Sequence, residues 1–349
     1  MNNNHKAGEK QAFTPENQSS RRSSRRPEFE REQTAEERLV SLANGSDSIA
    51  VSAISTPMAE AMRAASANAT KASKDRAKRV ARQQLIRLEE RLTAREHSVL
   101  DTICRYRFMT SDQVGRLFFQ SCTTKTSRSR NQNLLLQKLN EYGLIKPLER
   151  RVGGVGGGSG MQIWHLTEAG HKLLTLNEPD TMKRKRFLEP SPQFLEHTLA
   201  ITECMVQLTL ICRYSHDLEL MAVDTEPTSW RRFSDNGAPT YLKPDMFAIT
   251  NYDNYEDRWF IEMDLSSESP RTVVEKCDQY LRYYYSGIEQ KETGMFPFVV
   301  WIVKDETRKE RLKEYIRDGI KAQPKMFLVI TPDELEKLLR QDIDAKELM

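Results

Sequence analysis

Between residues 93 and 174 the hydrophobic period of the chain changes from that of a helix to that of a strand and back, and few folds accept that order. Thr93-x-x-Glu96 is a capping box that opens a helix, with Val99, Leu100, Ile103 and Tyr106 on one face. Thr110 and Ser111 open a second, short helix whose Val114, Leu117 and Phe118 point inward. A polar run over 121–127 leads into a third helix that ends near Tyr142, with Leu135, Leu136 and Leu139 on its core side. Gly143 suits the left-handed residue that closes a helix. A strand to Arg151, a glycine-rich tip over 153–160, a second strand over 161–166 and a helix from Thr167 to Leu174 complete the segment. The glycine run lacks the Lys-Ser/Thr ending of a P-loop and does not fit G-x-G-x-x-G, so it reads as a hairpin tip and not as a phosphate cradle.

Three helices and a hairpin in this order resemble the winged helix, and many bacterial DNA-binding domains look like this. Leu139-Asn-Glu-Tyr-Gly143-Leu-Ile and Trp164-His-Leu-Thr167-Glu-Ala-Gly170 carry the resemblance at the exits of the third helix and of the wing. It implies duplex DNA as the partner, with the start of the third helix in the major groove. That start holds Lys125, Ser127, Arg128, Arg130, Asn131 and Gln132, residue types that pair with phosphates and base edges. Arg150 and Arg151, at the base of the wing, are expected at flanking phosphates or the minor groove. The competing reading is a winged helix that binds protein.

A length of 349 residues suggests about two domains, and the net charge of +3 selects no partner by itself. The five cysteines are scattered and include no C-x-x-C pair, which argues against a disulfide framework or a structural zinc site and for a reducing cytoplasm. The amino terminus has no apolar run, and no stretch reads as long enough to cross a bilayer, so neither a signal peptide nor a membrane partner is expected. Residues 1–75 read as a disordered polar tail containing Arg21-Arg-Ser-Ser-Arg-Arg26, and 76–92 as a lead-in helix. The winged helix then occupies 93–175, a basic connector with Lys183-Arg-Lys-Arg186 occupies 176–190, and a second domain occupies 191–340.

The second domain reads as a helix over 192–214, strands over 218–223, 243–250 and 259–265, and a helix over 272–285. A strand over 298–303, a helix over 307–322, a strand over 326–330 and a last helix over 332–339 follow. This is an α/β sandwich with a mixed sheet, which makes the whole chain α+β. Pro244-Asp245 opens one strand and Glu262-Met-Asp264 lies on the next. Strand side chains alternate, so Glu262 and Asp264 face the same way and Asp245 joins them if the strands pair. Three converging carboxylates suit Mg2+ or Mn2+, which can activate water against a phosphodiester.

Pro-Asp, then Glu on the next strand, then a helix carrying Gln279-Tyr-Leu-Arg-Tyr283, resembles the PD-(D/E)XK nuclease core with a Q-x-x-x-Y signature. The resemblance implies catalytic roles for Asp245, Glu262, Asp264, Gln279 and Tyr283, with Asp245, Glu262 and Asp264 as metal ligands. It departs at one point: a lysine is expected two residues after Glu262, and Asp264 stands there. Lys276, on the following helix, is the candidate for the displaced ammonium, and Lys243 a weaker one.

From about 95 to 340 the chain also resembles the plasmid replication-relaxation family. Leu195-Glu-His197-Thr-Leu-Ala200, Lys243-Pro-Asp245, Phe260-Ile-Glu262-Met-Asp264 and the run from Lys276 to Tyr283 carry that likeness beyond the winged helix. It implies DNA-associated work in the replication, relaxation or mobilisation of a plasmid or other mobile element, with replication or relaxase proteins as partners. Three functions compete: a non-catalytic DNA-binding accessory protein, a metal-dependent nuclease, and a transcriptional repressor. His197 alone on an amphipathic helix reads as a packed, hydrogen-bonded residue. Trp230-Arg231-Arg232 reads either as a loop anchored by a buried tryptophan or as a grip on nucleic acid.

Overall fold

The computed structural model describes residues 79, 81–149, 161–176, 189–235, 237–266 and 268–342. The polar tail, Arg150 and Arg151, the glycine-rich tip and the basic run 183–186 lie outside the described residues.

A helix over 81–89 (α1) leads in, and its Leu85, Ile86 and Leu88 pack against the core that follows. Helix α2 (Ala94–Tyr106) starts at the Thr93/Glu96 capping box, whose reciprocal bonds satisfy two amides that a helix start leaves open. Strand β1 (Met109–Thr110) precedes α3 (Ser111–Phe118), which has a second capping box between Thr110 and Gln113. Helix α4 (Lys125–Glu141) is capped by Thr124, and Gly143 turns the chain out of it at φ +70°. Strands β2 (Ile145–Pro147) and β3 (Ile163–Leu166) pair antiparallel, and β1 joins the other edge of β3, giving the order β1-β3-β2. Helix α5 (Glu168–Leu174) follows, capped by Thr167.

Helix α6 (Pro192–Tyr214) starts on a Ser191 cap with proline in its first turn, where the missing amide costs nothing. It meets the length and composition of a membrane span, at a mean hydropathy of 1.2 over its best window, which overturns the expectation that no stretch is long enough. Here one side of it is covered by protein: Leu208, Val206 and Cys204 are buried in the same cluster as Val99, Leu136 and Trp164, while Phe194 and Tyr214 are exposed. Polar contacts tie it to α3, where Arg116 Nη1 meets Glu203 Oε1 at 2.7 Å and Gln113 Nε2 donates to Leu199 O at 3.4 Å. The regions read as separate domains therefore share one apolar core through α6.

Beyond α6 lie β4 (Leu218–Thr225), β5 (Arg231–Asp235), β6 (Ala238–Leu242), β7 (Met246–Tyr252) and β8 (Tyr255–Asp264). Helices α7 (Pro270–Ser286) and α8 (Ile288–Thr293), strand β9 (Phe298–Val303), helix α9 (Glu306–Gly319), strand β10 (Phe327–Ile330) and helix α10 (Leu335–Leu339) complete the order. The main sheet runs β10-β9-β8-β7-β4, parallel from β10 to β8 and antiparallel from β8 to β4, so it is the mixed sheet expected of an α+β chain. One face, with Trp259, Ile261 and Val300, packs in the α6 core, and the other, with Phe260, Val299 and Trp301, packs under α7 and α9. The hairpin β5–β6 and helix α8 are additional elements that the periodicity did not announce.

Candidate functional site

The period of two along β8 puts Phe260, Glu262 and Asp264 on the α7 side of the sheet and Ile261 and Met263 on the other. Met246 pairs with Ile261, so Asp245, one residue before β7, arrives opposite Glu262. Antiparallel register thus brings Asp245 opposite Glu262, and strand alternation puts Asp264 further along the same face of β8.

Each carboxylate has its own partners. Asp245 Oδ2 accepts the Met263 amide at 2.8 Å, and Oδ1 lies 3.2 Å from Nε2 of His197 on α6. Burial would raise the Asp245 carboxyl, but His197, Lys276 and the Met263 amide together hold it below the usual carboxylate range. His197 is raised in turn, chiefly by its bond to Asp245 and against its burial. Glu262 is 0% exposed, takes the Tyr280 hydroxyl on Oε1 at 2.5 Å, and has Lys276 Nζ 2.6 Å from Oε2. Burial pushes the Glu262 carboxyl up to about 8, although Lys276 pulls it the other way. Lys276 is itself raised, because Glu262, Asp245 and Glu268 outweigh the burial that opposes its charge. The displaced lysine expected from the sequence therefore stands beside Glu262, and its Nζ is also 5.4 Å from the centre of the Trp301 ring.

Asp264 departs from expectation. It is 0% exposed, and its Oδ2 accepts from Arg308 Nε at 2.9 Å and Nη2 at 2.5 Å, while Oδ1 accepts the Ser266 amide at 2.6 Å. Arg308 lies in the first turn of α9, where its own amide is capped by Asp305 at 2.9 Å, and it reaches Glu268 O at 2.8 Å. Among the described residues no group of three His, Cys, Asp or Glu side chains is arranged to hold a metal ion. Asp245, Glu262 and Asp264 therefore do not fit a Mg2+ or Mn2+ site in this arrangement, because a guanidinium, an ammonium and backbone amides already take their oxygens.

The Q-x-x-x-Y reading also needs correction. Gln279 is exposed, and Tyr283 is buried away from Glu262 with its hydroxyl on Glu289 Oε2 at 2.5 Å, packed against Phe233 and Phe296. Tyr280 takes the position at Glu262 instead. One helical turn separates it from Lys276, so helical spacing was the signal available for it. Arg308 carried no local signal, since it lies 44 residues from Asp264.

The other candidate surface is α4. Its inner side, with Leu136 and Leu139, packs on α3 and β2, while Lys125, Arg130 and Asn131 are exposed and Ser127 and Arg128 are partly so. Ser127 is engaged with the Thr124 cap, its hydroxyl donating to Thr124 O at 3.0 Å, and Asn131 Nδ2 meets Cys122 Sγ at 3.4 Å. Gln132 is buried, against expectation: it lies over Gly115, where a Cβ would come 1.6 Å from Gln132 Oε1. The missing side chain at Gly115 is what lets α3 and α4 approach there, so Gln132 fills the crossing and leaves the outer face. Leu134, 57% exposed, stands on that face instead.

No curated protein and no solved structure matches this sequence. A family model described as replication-relaxation matches residues 100–299, a span that begins in α2, takes in α4 and the Asp245–Glu262 neighbourhood, and stops short of Arg308. That span exceeds half of the 349 residues, and the chain belongs to the replication-relaxation family.

Proposed function

We propose that this protein is a DNA-binding accessory factor in the replication, relaxation or mobilisation of a plasmid or other mobile element, acting in the cytoplasm alongside replication or relaxase proteins. In this reading residues 93–175 are a winged helix and 191–340 a PD-(D/E)XK-like domain. The observation that carries the reading is α4. Its Leu136 and Leu139 are buried against the core shared with α3 and β2, and its first turns present Lys125, Arg130 and Asn131 outward, with Arg128 half-buried beside Gly115. A helix held in this way offers its amino-terminal side chains to a major groove, and Arg and Asn are the types that read guanine and adenine edges there. Family membership supports the setting.

Fluorescence anisotropy with a labelled duplex tests it. Arg128→Ala combined with Arg130→Ala is expected to weaken binding on the order of tenfold or more, as two lost charge contacts would. Unchanged affinity would remove α4 from the interface.

A metal-dependent nuclease is the second reading, favoured by one observation, the 2.6 Å approach of Lys276 to Glu262. Against it stand the partners of the carboxylates, above all the Asp264–Arg308 pair. Incubation with supercoiled plasmid and Mg2+ or Mn2+ separates the readings. Nicking that Glu262→Ala abolishes would establish the nuclease, and intact plasmid in both metals would reject it.

A further inference from the structure

The Trp230-Arg231-Arg232 motif has a place in the fold that duplex binding by α4 does not use. It enters the β5–β6 hairpin, which stands apart from the main sheet as a two-stranded ribbon. Alternation divides the ribbon into two faces. Phe233 and Leu242 are buried against α7, and Arg231 turns inward as well, with its guanidinium 4.4 Å from the Phe247 ring centre and Nε 3.4 Å from Glu289 Oε2. The outward face carries Arg232 directly across from Tyr241, followed by Lys243. All three are exposed, Tyr241 to 47%.

This face is braced. Lys243 Nζ sits 4.5 Å from the centre of the Trp230 ring, and the same ring meets Tyr241 edge-on at 6.3 Å. Ser229 is buried and donates to Pro244 O at 2.8 Å, fastening the loop that carries Trp230 to the residue before Asp245. The acid near the ribbon's turn, Asp235, lies 3.3 Å from Arg282 Nε, so a cation faces it. A rigid aromatic ring flanked by two exposed cations is complementary to a ligand with flat faces and a polyanionic backbone. In a duplex the base faces are covered by their neighbours. An unpaired strand offers them.

We propose that the outward face of the β5–β6 hairpin binds an unpaired nucleic-acid strand, with Tyr241 stacking on a base and Arg232 and Lys243 holding the flanking phosphates. The proposal is independent of the duplex reading, since α4 and the hairpin share no residue. It places an unpaired strand beside the Asp245–Glu262 neighbourhood, because Lys243 lies two residues from Asp245.

The test is anisotropy of the full chain with labelled oligothymidylate and oligouridylate of about 15 nucleotides, near the span one stacking platform covers. Tyr241→Ala is expected to weaken single-strand binding about tenfold, the scale of one lost base stack. Tyr241→Phe keeps the ring and is expected to bind as wild type. Arg232→Ala with Lys243→Ala weakens binding and flattens its salt dependence, and duplex affinity stays unchanged in every hairpin variant. The α4 double variant is expected to behave the opposite way, losing duplex and keeping the single strand, so failure of one proposal is distinct from failure of the other. Binding of either oligomer through Tyr241 supports the proposal, and a preference for one names DNA or RNA as the source. Wild-type protein that binds neither oligomer, or single-strand affinity that α4 variants remove and hairpin variants do not, overturns it.

Discussion

Two charged regions of this molecule use the same side-chain types to opposite ends. On the first turns of α4, Lys125 and Arg130 stand in solvent over a helix whose other side is packed. Behind the sheet, Arg308 is drawn into an ion pair with Asp264 at 2.5 Å, and Lys276 stands 2.6 Å from Glu262, both acids being 0% exposed. Charge in water is cheap to keep and open to a partner. Charge taken out of water must be matched within the fold, and once matched it has little left to offer a ligand. The difference separates a surface left open to a partner, as the proposed reading needs, from a cluster matched within the fold.

The sharpest way to break that comparison is to remove one cation from each region. Arg308→Met strands Asp264 in the interior and is expected to cost about 3–5 kcal/mol of stability, while Arg130→Met is expected to stay within about 0.5 kcal/mol. Urea unfolding of both variants decides it, and equal losses would erase the distinction. A smaller effect is expected at Gly115→Ala. The new methyl meets the far end of the Gln132 side chain, which can turn aside, and alanine is the better helix former, so the stability is expected to stay within about 1 kcal/mol of wild type.

The pH dependence sharpens the same contrast. Glu262 keeps its proton up to about 8 in the folded chain, so between the ordinary glutamate value of 4.5 and about 8 the folded state binds more protons than the unfolded one. Stability contributed through this group therefore falls as pH rises across that window. The raised His197 acts in the same sense: its contribution is full below the ordinary histidine range and is lost as pH rises through its folded value. Thermal melts of Glu262→Gln across pH 5 to 8 are expected to lose part of that fall. A profile parallel to wild type would mean that Glu262 titrates normally. The smallest effect is expected at Gln279→Ala, within about 0.5 kcal/mol, because the side chain is exposed.

What the sequence made legible follows physical range. Helix starts were readable because a capping box is a local device: Thr93 with Glu96 opens α2 as expected. The strand that Asp245 precedes and the strand that carries Glu262 were readable because alternation acts within a few residues, and Lys276 was found because a helix following a strand returns its side chains to that strand's surface. Arg308 was not readable, since nothing near Asp264 specifies which distant helix start will face it. Gln132 was misplaced because its polarity suggests water, while the absent Cβ of Gly115 makes room for it inside. Tyr283 was drawn into the site by a motif, and the aromatic cluster with Phe233 and Phe296 holds it elsewhere. The β5–β6 hairpin escaped notice because each strand carries a single buried residue, Phe233 or Leu242, so no apolar period marks it.

The most direct test of the central claim is the salt dependence of duplex binding. If Arg128 and Arg130 each displace a counterion from the DNA backbone or groove, the slope of log affinity against log salt in Arg128→Ala/Arg130→Ala should be shallower than wild type by about 2. An identical slope in the two proteins would place the duplex somewhere other than α4.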